Sequence, residues 1–208
     1  MKKFLLALIL MMSPSMASAS FVDFSLLPQG GQTSTIAYAG GVNPLIGTNI
    51  TILNVIGQQT PLLDGVTLPI TDGHLDFTTG NFITSTATGW EFAAGGSITF
   101  SGNGGVLFSG TFNNPTLVTQ VGNTFNIVDS AFTGTISPFL AAQFGVSSSS
   151  NSLGALSILF FANATIGGSI MDTGFNSGNA AISMVPEPSS LILVGIGGTS
   201  IFLLRKKK

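Results

Sequence analysis

The chain has 208 residues, of which 44% are hydrophobic and only 7% charged, and its formal net charge is −2. All six cations sit at positions 2, 3 and 205–208, whereas Ser20 to Met184 carries seven acids (Asp23, Asp64, Asp72, Asp76, Glu91, Asp129 and Asp172), a formal charge of −7. A body without a cation cannot neutralise phosphates, which excludes nucleic acid and disfavours phosphate ligands and anionic lipid, and the absence of cysteine excludes disulfides, thiolate metal sites and cysteine nucleophiles.

The first segment, MKKFLLALILMMSPSMASAS, has the three parts of a secretory signal. Lys2 and Lys3 form a basic start, Phe4 to Met12 an apolar stretch, and Ala17-Ser18-Ala19 the small-x-small pattern read by signal peptidase. Residues 1–19 are expected to be a signal peptide cleaved between Ala19 and Ser20.

Residues 20–184 lack a helical period of useful length. They consist of short β-branched and aromatic runs broken by Gly, Asn, Pro and Asp, the pattern of strands and turns. Strands are predicted at Thr48–Ile56, His74–Phe77, Ser97–Phe100, Val106–Phe112, Thr124–Val128, Ala131–Ile136, Ala155–Ala162, Ala164–Ile170 and Ala180–Met184. Asn103-Gly104, between two such runs, is a hairpin signal. FSGTFNNP (residues 108–115) and FTGTISP (residues 132–138) echo each other as similar strand–turn units, and Ser147–Ser152 reads as a surface loop. Seventeen Phe among 27 Gly suit the inner faces of packed sheets. The expected fold is one all-β, extracytoplasmic domain over residues 20–184, a sandwich or jelly-roll rather than a closed barrel.

His74, the single histidine, lies in TDGHLDFTTG, so Asp72, His74 and Asp76 recur at a spacing of two and would share one face of a strand. Such a trio offers half of a metal site or a carboxylate-oriented base, but it reads first as a turn followed by a solvated strand face. No nucleophile-elbow pattern accompanies it. Asp64, Asp72, Asp76 and Glu91 could furnish a pair of carboxylates for glycoside hydrolysis, as any group of acids could. Trp90 and Tyr38, one of each in the chain, could stack on sugar rings, although Trp90 in ATGWEFAAGG fits a core position better. Neither a catalytic set nor a cofactor is expected.

The chain closes on VPEPSSLILVGIGGTSIFLLRKKK. Residues 189–204 are free of charge; as a helix they would measure about 24 Å, short of a bilayer core of about 30 Å unless the basic end snorkels. Arg205, Lys206, Lys207 and Lys208 then form a membrane stop that stays cytoplasmic by the positive-inside rule, with residues 20–184 outside. Pro186 and Pro188 favour extended backbone at Val185 and Glu187, presenting an accessible segment ahead of the membrane.

This order of Val185-Pro186-Glu187-Pro188, a short glycine-containing apolar segment and a basic end resembles the PEP-CTERM sorting signal. The resemblance is confined to residues 185–208 and bears on neither the fold nor the ligand of the body. It implies export, insertion of the tail in the inner membrane, and processing by exosortase, an integral-membrane transpeptidase-like enzyme, with delivery to the cell surface or beyond. It also implies an association with exopolysaccharide. The expected function is therefore that of a non-enzymatic bacterial surface or extracellular-matrix protein with a structural or adhesive role. The alternative is a secreted carbohydrate-binding module, with or without calcium, built on Trp90 and the acidic loops, and the third reading a hydrolase using Asp72, His74 and Asp76.

Overall fold

Alternation of buried and exposed residues runs through nearly every strand, as in Ser20–Leu26, where four inward positions flank three outward ones. The computed structural model describes residues 20–27, 34–146, 148, 152–163 and 168–184. The described strands are β1 (Ser20–Leu26), β2 (Thr35–Tyr38), β3 (Pro44–Gln58), β4 (Thr67–Pro69), β5 (His74–Thr86) and β6 (Gly89–Phe92), followed by β7 (Gly95–Gly102), β8 (Gly105–Phe112), β9 (Thr116–Val121), β10 (Thr124–Ile136), β11 (Ser152–Asn163) and β12 (Ile170–Met184). One helix, α1 (Pro138–Phe144), separates β10 from β11.

The expected sandwich or jelly-roll is corrected by the pairing. The twelve strands form one sheet, and that sheet closes on itself twice, always through antiparallel neighbours. A first ring runs β1–β3–β5–β7–β8–β10–β11–β12 and returns to β1. A second runs β2–β3–β5–β6–β9–β10–β11–β12 and returns to β2. The long strands β3, β5, β10, β11 and β12 pass through both tiers, while β1, β7 and β8 complete one and β2, β6 and β9 the other. Register shifts in the long strands mark the passage between tiers, between Gly47 and Ile50 in β3 and between Ile127 and Ser130 in β10. Such bulges bend a strand and increase its twist. At the β10 shift the buried hydroxyls of Thr116 and Ser130 pair with each other at 2.5 Å, meeting the need of buried polar groups for partners.

Eight strands enclose an interior just wide enough for side chains to fill, and here aromatic rings fill it in two clusters, one per tier. Phe24, Phe77, Phe100, Phe108, Phe112 and Phe132 form the first, linked by ring contacts of 4.6–6.3 Å between centroids. In the second tier Tyr38 packs with Phe82 and Phe92, and Trp90 with Phe125 and Phe160. The rings fit because glycines stand across the strands from them. Phe132 is registered opposite Gly154 and Phe77 opposite Gly47, and in each case the ring occupies the space that a Cβ on the glycine would take.

Helix α1 contributes Leu140, Ala141 and Phe144 to the same core. Its start is set by Ser137, whose hydroxyl accepts the Leu140 N–H at 3.2 Å, and by Pro138 in the first turn; Gly145, left-handed at φ 66°, ends it. Phe144 reaches the β3 terminus, against Gly57. Composition had given no reason to expect this helix, although its caps are legible in SPFLAAQFG.

Most predicted strands fall within observed ones, each as part of a longer strand. Asn103-Gly104 joins β7 to β8 with both residues at positive φ, 51° and 80°, the type I′ signature. The echoing segments prove to be neighbours: β8 and β10 pair with Gly110 opposite Gly134. Of the predicted strand Ala164–Ile170, residues 164–167 lie outside the described residues, Gly168 and Ser169 are not strand, and Ile170 opens β12. The serine loop also lies mostly outside them, with Ser152 opening β11. The expected signal peptide (1–19) and membrane segment (about 189–204) lie outside as well, and among the described residues no helix is long and apolar enough to cross a membrane.

Substituting Gly154→Ala tests the ring-over-glycine packing. Lower chain entropy in the unfolded state would favour alanine by about 0.4–1 kcal/mol, but overpacking against Phe132 costs about 1–3 kcal/mol, so the clash wins. We expect the melting temperature of the purified chain to fall by about 2–6 °C, with much of the loss recovered when Phe132→Leu is added. Strictly additive effects would disprove the contact.

Candidate functional site

The outward-facing side chains differ from one wall of the barrel to another. Across β5, β7, β8 and β10 the outer wall is clad in hydroxyls: Asp76 neighbours Thr99, Thr99 neighbours Ser109, and Ser109 neighbours Thr135. Across β10, β11, β12, β1 and β3 the corresponding row reads Ala131, Ala155, Ala181, Asp23 and Ile56.

His74 and Asp76 stand on the hydroxyl wall, 39% and 44% exposed, with Nε2 and Oδ2 at 3.6 Å. His74 Nδ1 lies 3.0 Å from the main-chain carbonyl of Asp72, so a proton on Nδ1 is donated to that oxygen and Nε2 is left facing Asp76. Of the trio, then, two side chains come together, and Asp72 contributes its backbone from a turn where its φ is 51°. The other oxygen of Asp76 accepts the N–H of Asn49 at 2.8 Å. Asn49 sits in the β3 irregularity with φ 53°, and Asp76 thereby satisfies a donor that the ladder misses. The arrangement is a brace for a bulge. Among the described residues no group of three His, Cys, Asp or Glu is placed to hold a metal ion. Asp64, in the loop after β3, accepts the Gln59 N–H at 2.5 Å, and Glu91 lies on β6 opposite Thr84 and Leu117.

Both aromatics offered as sugar platforms are interior. Trp90 is 0% exposed and donates its indole N–H to the Gly168 carbonyl at 3.0 Å, while Tyr38, 1% exposed, donates its hydroxyl to the Gly41 carbonyl at 2.6 Å. Rings so buried cannot stack on a ligand, which corrects the site imagined for a carbohydrate-binding module. A shallow groove on the outer wall of β10, β11 and β12 is lined instead by Asn126, Ser157, Leu159, Ser177 and Asn179, amides and hydroxyls that composition did not single out.

Asp23 is a further residue that sequence reasoning passed over. It lies between Ala181 and Ile56 on β1, its Oδ1 is buried and unpaired, and burial pushes its carboxyl above the ordinary range. The sole signal in the sequence was an acid in a strand, SFVDFSL, whose other residues are apolar or serine.

The tail is where comparison speaks. Residues 185–208 match the PEP-CTERM protein-sorting motif. The match takes in Val185-Pro186-Glu187-Pro188 and the terminal cations, and it supports an exported, surface-associated protein sorted by exosortase, a membrane enzyme. No curated protein and no solved structure matches the chain.

Three substitutions separate these sites. His74→Ala removes an exposed pair of little value and is expected to change stability by less than about 0.5 kcal/mol, while Asp76→Ala, which removes the hydrogen bond to the Asn49 N–H, is expected to cost about 1 kcal/mol in a denaturant titration. For Asp23 the folded state holds its proton more tightly than the unfolded chain does. The contribution of Asp23 to stability is therefore fully present below its unfolded value and is lost as pH rises through the raised folded value. Asp23→Asn should raise the melting temperature at pH 7 by about a degree or two and leave it unchanged near pH 3.

Proposed function

We propose that this is an exported bacterial surface or extracellular-matrix protein, non-enzymatic, whose β body plays a structural or adhesive role in an exopolysaccharide-rich envelope. The observation that carries the proposal is the match of residues 185–208 to the sorting motif, behind a start with the three parts of a secretory signal. In this reading signal peptidase frees Ser20, residues 189–204 hold the tail in the inner membrane, and Arg205, Lys206, Lys207 and Lys208 stop its transfer. Exosortase then acts at Val185–Pro188. The body supports a non-catalytic role because its interior is filled with aromatic rings and its histidine–aspartate pair braces a bulge.

A second reading, a secreted carbohydrate-binding module, draws on the groove lined by Asn126, Ser157, Ser177 and Asn179. Amides and hydroxyls without a charge suit a neutral polyhydroxylated ligand better than an ionic one. Glycan-array binding of the purified chain, with and without a chelator, discriminates the readings, and calcium assistance predicts binding that the chelator abolishes. The hydrolase reading rests on the trio at Asp72, His74 and Asp76 and has the least support.

Replacing Pro186-Glu187-Pro188 by three alanines tests the sorting step. The expected result is a full-length, membrane-retained form in place of the processed one, read by mass spectrometry of the mature C-terminus in an exosortase-bearing host. Equal processing of variant and wild type would sink the sorting role.

A further inference from the structure

Burial alternates along β11, so that Ser157, Leu159 and Phe161 share the outer face while Ile158, Phe160 and Ala162 are buried. Leu159 is registered between Asn126 of β10 and Ser177 of β12, and Ser157 stands opposite Asn179. These five residues line the shallow groove on this wall, and Phe161 lies two residues further along the same face. The groove sits beside the β10 bulge, where the Ser157 hydroxyl donates to the Ile127 carbonyl at 3.4 Å. A bulge bends its strand, and the short serine side chains on β11 and β12 leave the hollow open.

Phe161 and Phe139 are the two exposed phenyl rings among the described residues, 42% and 47%, and Phe139 lies on α1, beyond the far end of β10. Register places Thr124 on one side of Phe161 and Gly174 on the other, so no side chain stands directly across from the ring on β12. The amides of Asn126 and Asn179 make no hydrogen bond to other described residues, and each offers both donors and an acceptor. From Ser157 to Phe161 the strip is about 13 Å long. Groups that donate and accept, followed by the face of an aromatic ring, match the hydroxyl edges and C–H faces of a sugar chain. None of these side chains is charged, and between residues 4 and 204 the chain has no cation to neutralise a uronate or a sulfate.

We propose that Phe161 and this groove together form a binding site for a neutral glycan chain. Phe161 stacks on the face of one sugar ring, and Asn126 and Asn179 hold hydroxyls of its neighbours. The proposal rests on the carbohydrate-binding reading above and gives it a place, a stacking platform and a charge preference. It sets the platform on the outside of the barrel, where the buried Trp90 and Tyr38 cannot serve. The residues lie on three strands paired side by side, so little ordering of the protein accompanies binding.

The test uses the purified chain on an array of immobilised neutral glucans, mannans and galactans, beside the uronate-bearing polymers alginate and hyaluronan. The wild type should bind neutral glycans and not the acidic polymers; selective binding of the acidic polymers overturns the proposal. For the neutral glycan bound best, calorimetric titration should show affinity falling about fivefold in Phe161→Ala and in Asn179→Ala. Phe161→Tyr, which keeps the ring, and Phe139→Ala should stay at the wild-type value, and a melting curve for each variant shows that the fold is kept. Wild-type affinity in both Phe161→Ala and Asn179→Ala overturns the site and leaves the carbohydrate-binding reading intact. Absence of binding to every glycan on the array removes that reading and the site with it.

Discussion

A phenylalanine ring laid over a glycine on the next strand is the contact on which this barrel depends. An eight-membered ring of strands leaves an interior with room for a limited volume of side chain, and aromatic rings would overfill it if every facing residue carried a Cβ. Phe132 over Gly154 and Phe77 over Gly47 resolve the conflict locally, and the two aromatic clusters extend that solution through both tiers. The richness in glycine and in phenylalanine is thus one property of the chain, not two. Among the described strands closure leaves only the three-residue β4, paired with β3 alone, with a free edge.

Filling the interior moves any function outward. Trp90 and Tyr38 are committed to the core by packing and by hydrogen bonds to main-chain carbonyls, and Asp76 is committed to the Asn49 amide. The outer walls carry no such duty, and their compositions diverge. One is hydroxyl-rich, which keeps a body without cations in water at modest charge. On the other, the row across β10, β11, β12, β1 and β3 reads Ala131, Ala155, Ala181, Asp23 and Ile56.

Much of the architecture was readable along the chain. Short β-branched and aromatic runs between turn residues placed seven of the twelve described strands and missed β1, β2, β4, β6 and β9, and Asn103-Gly104 gave its hairpin because a type I′ turn needs two residues at positive φ. The tail was legible for the same local reason: two prolines, an apolar stretch and a basic end act by their order. Helix α1 was missed because seven residues are too few to show a period, although Ser137, Pro138 and Gly145 marked its ends. The His74 trio was over-read, since a common strand face says nothing about which groups the fold will set against it. Asp23 was under-read, since its neighbours Ala181 and Ile56 are 158 and 33 residues away.

By itself the sequence determined the all-β class, the acidic character of the body, the exclusion of thiolate chemistry and the sorting signal in residues 185–208. These follow from residue type, local order and net charge, none of which needs a partner distant in the chain. Tertiary structure alone decided that the strands close into a two-tiered barrel instead of facing sheets, because alternation is the same in both and only the register of distant strands distinguishes them. It also decided which aromatics are core and which wall is apolar, because both depend on what lies across a strand pair rather than along it.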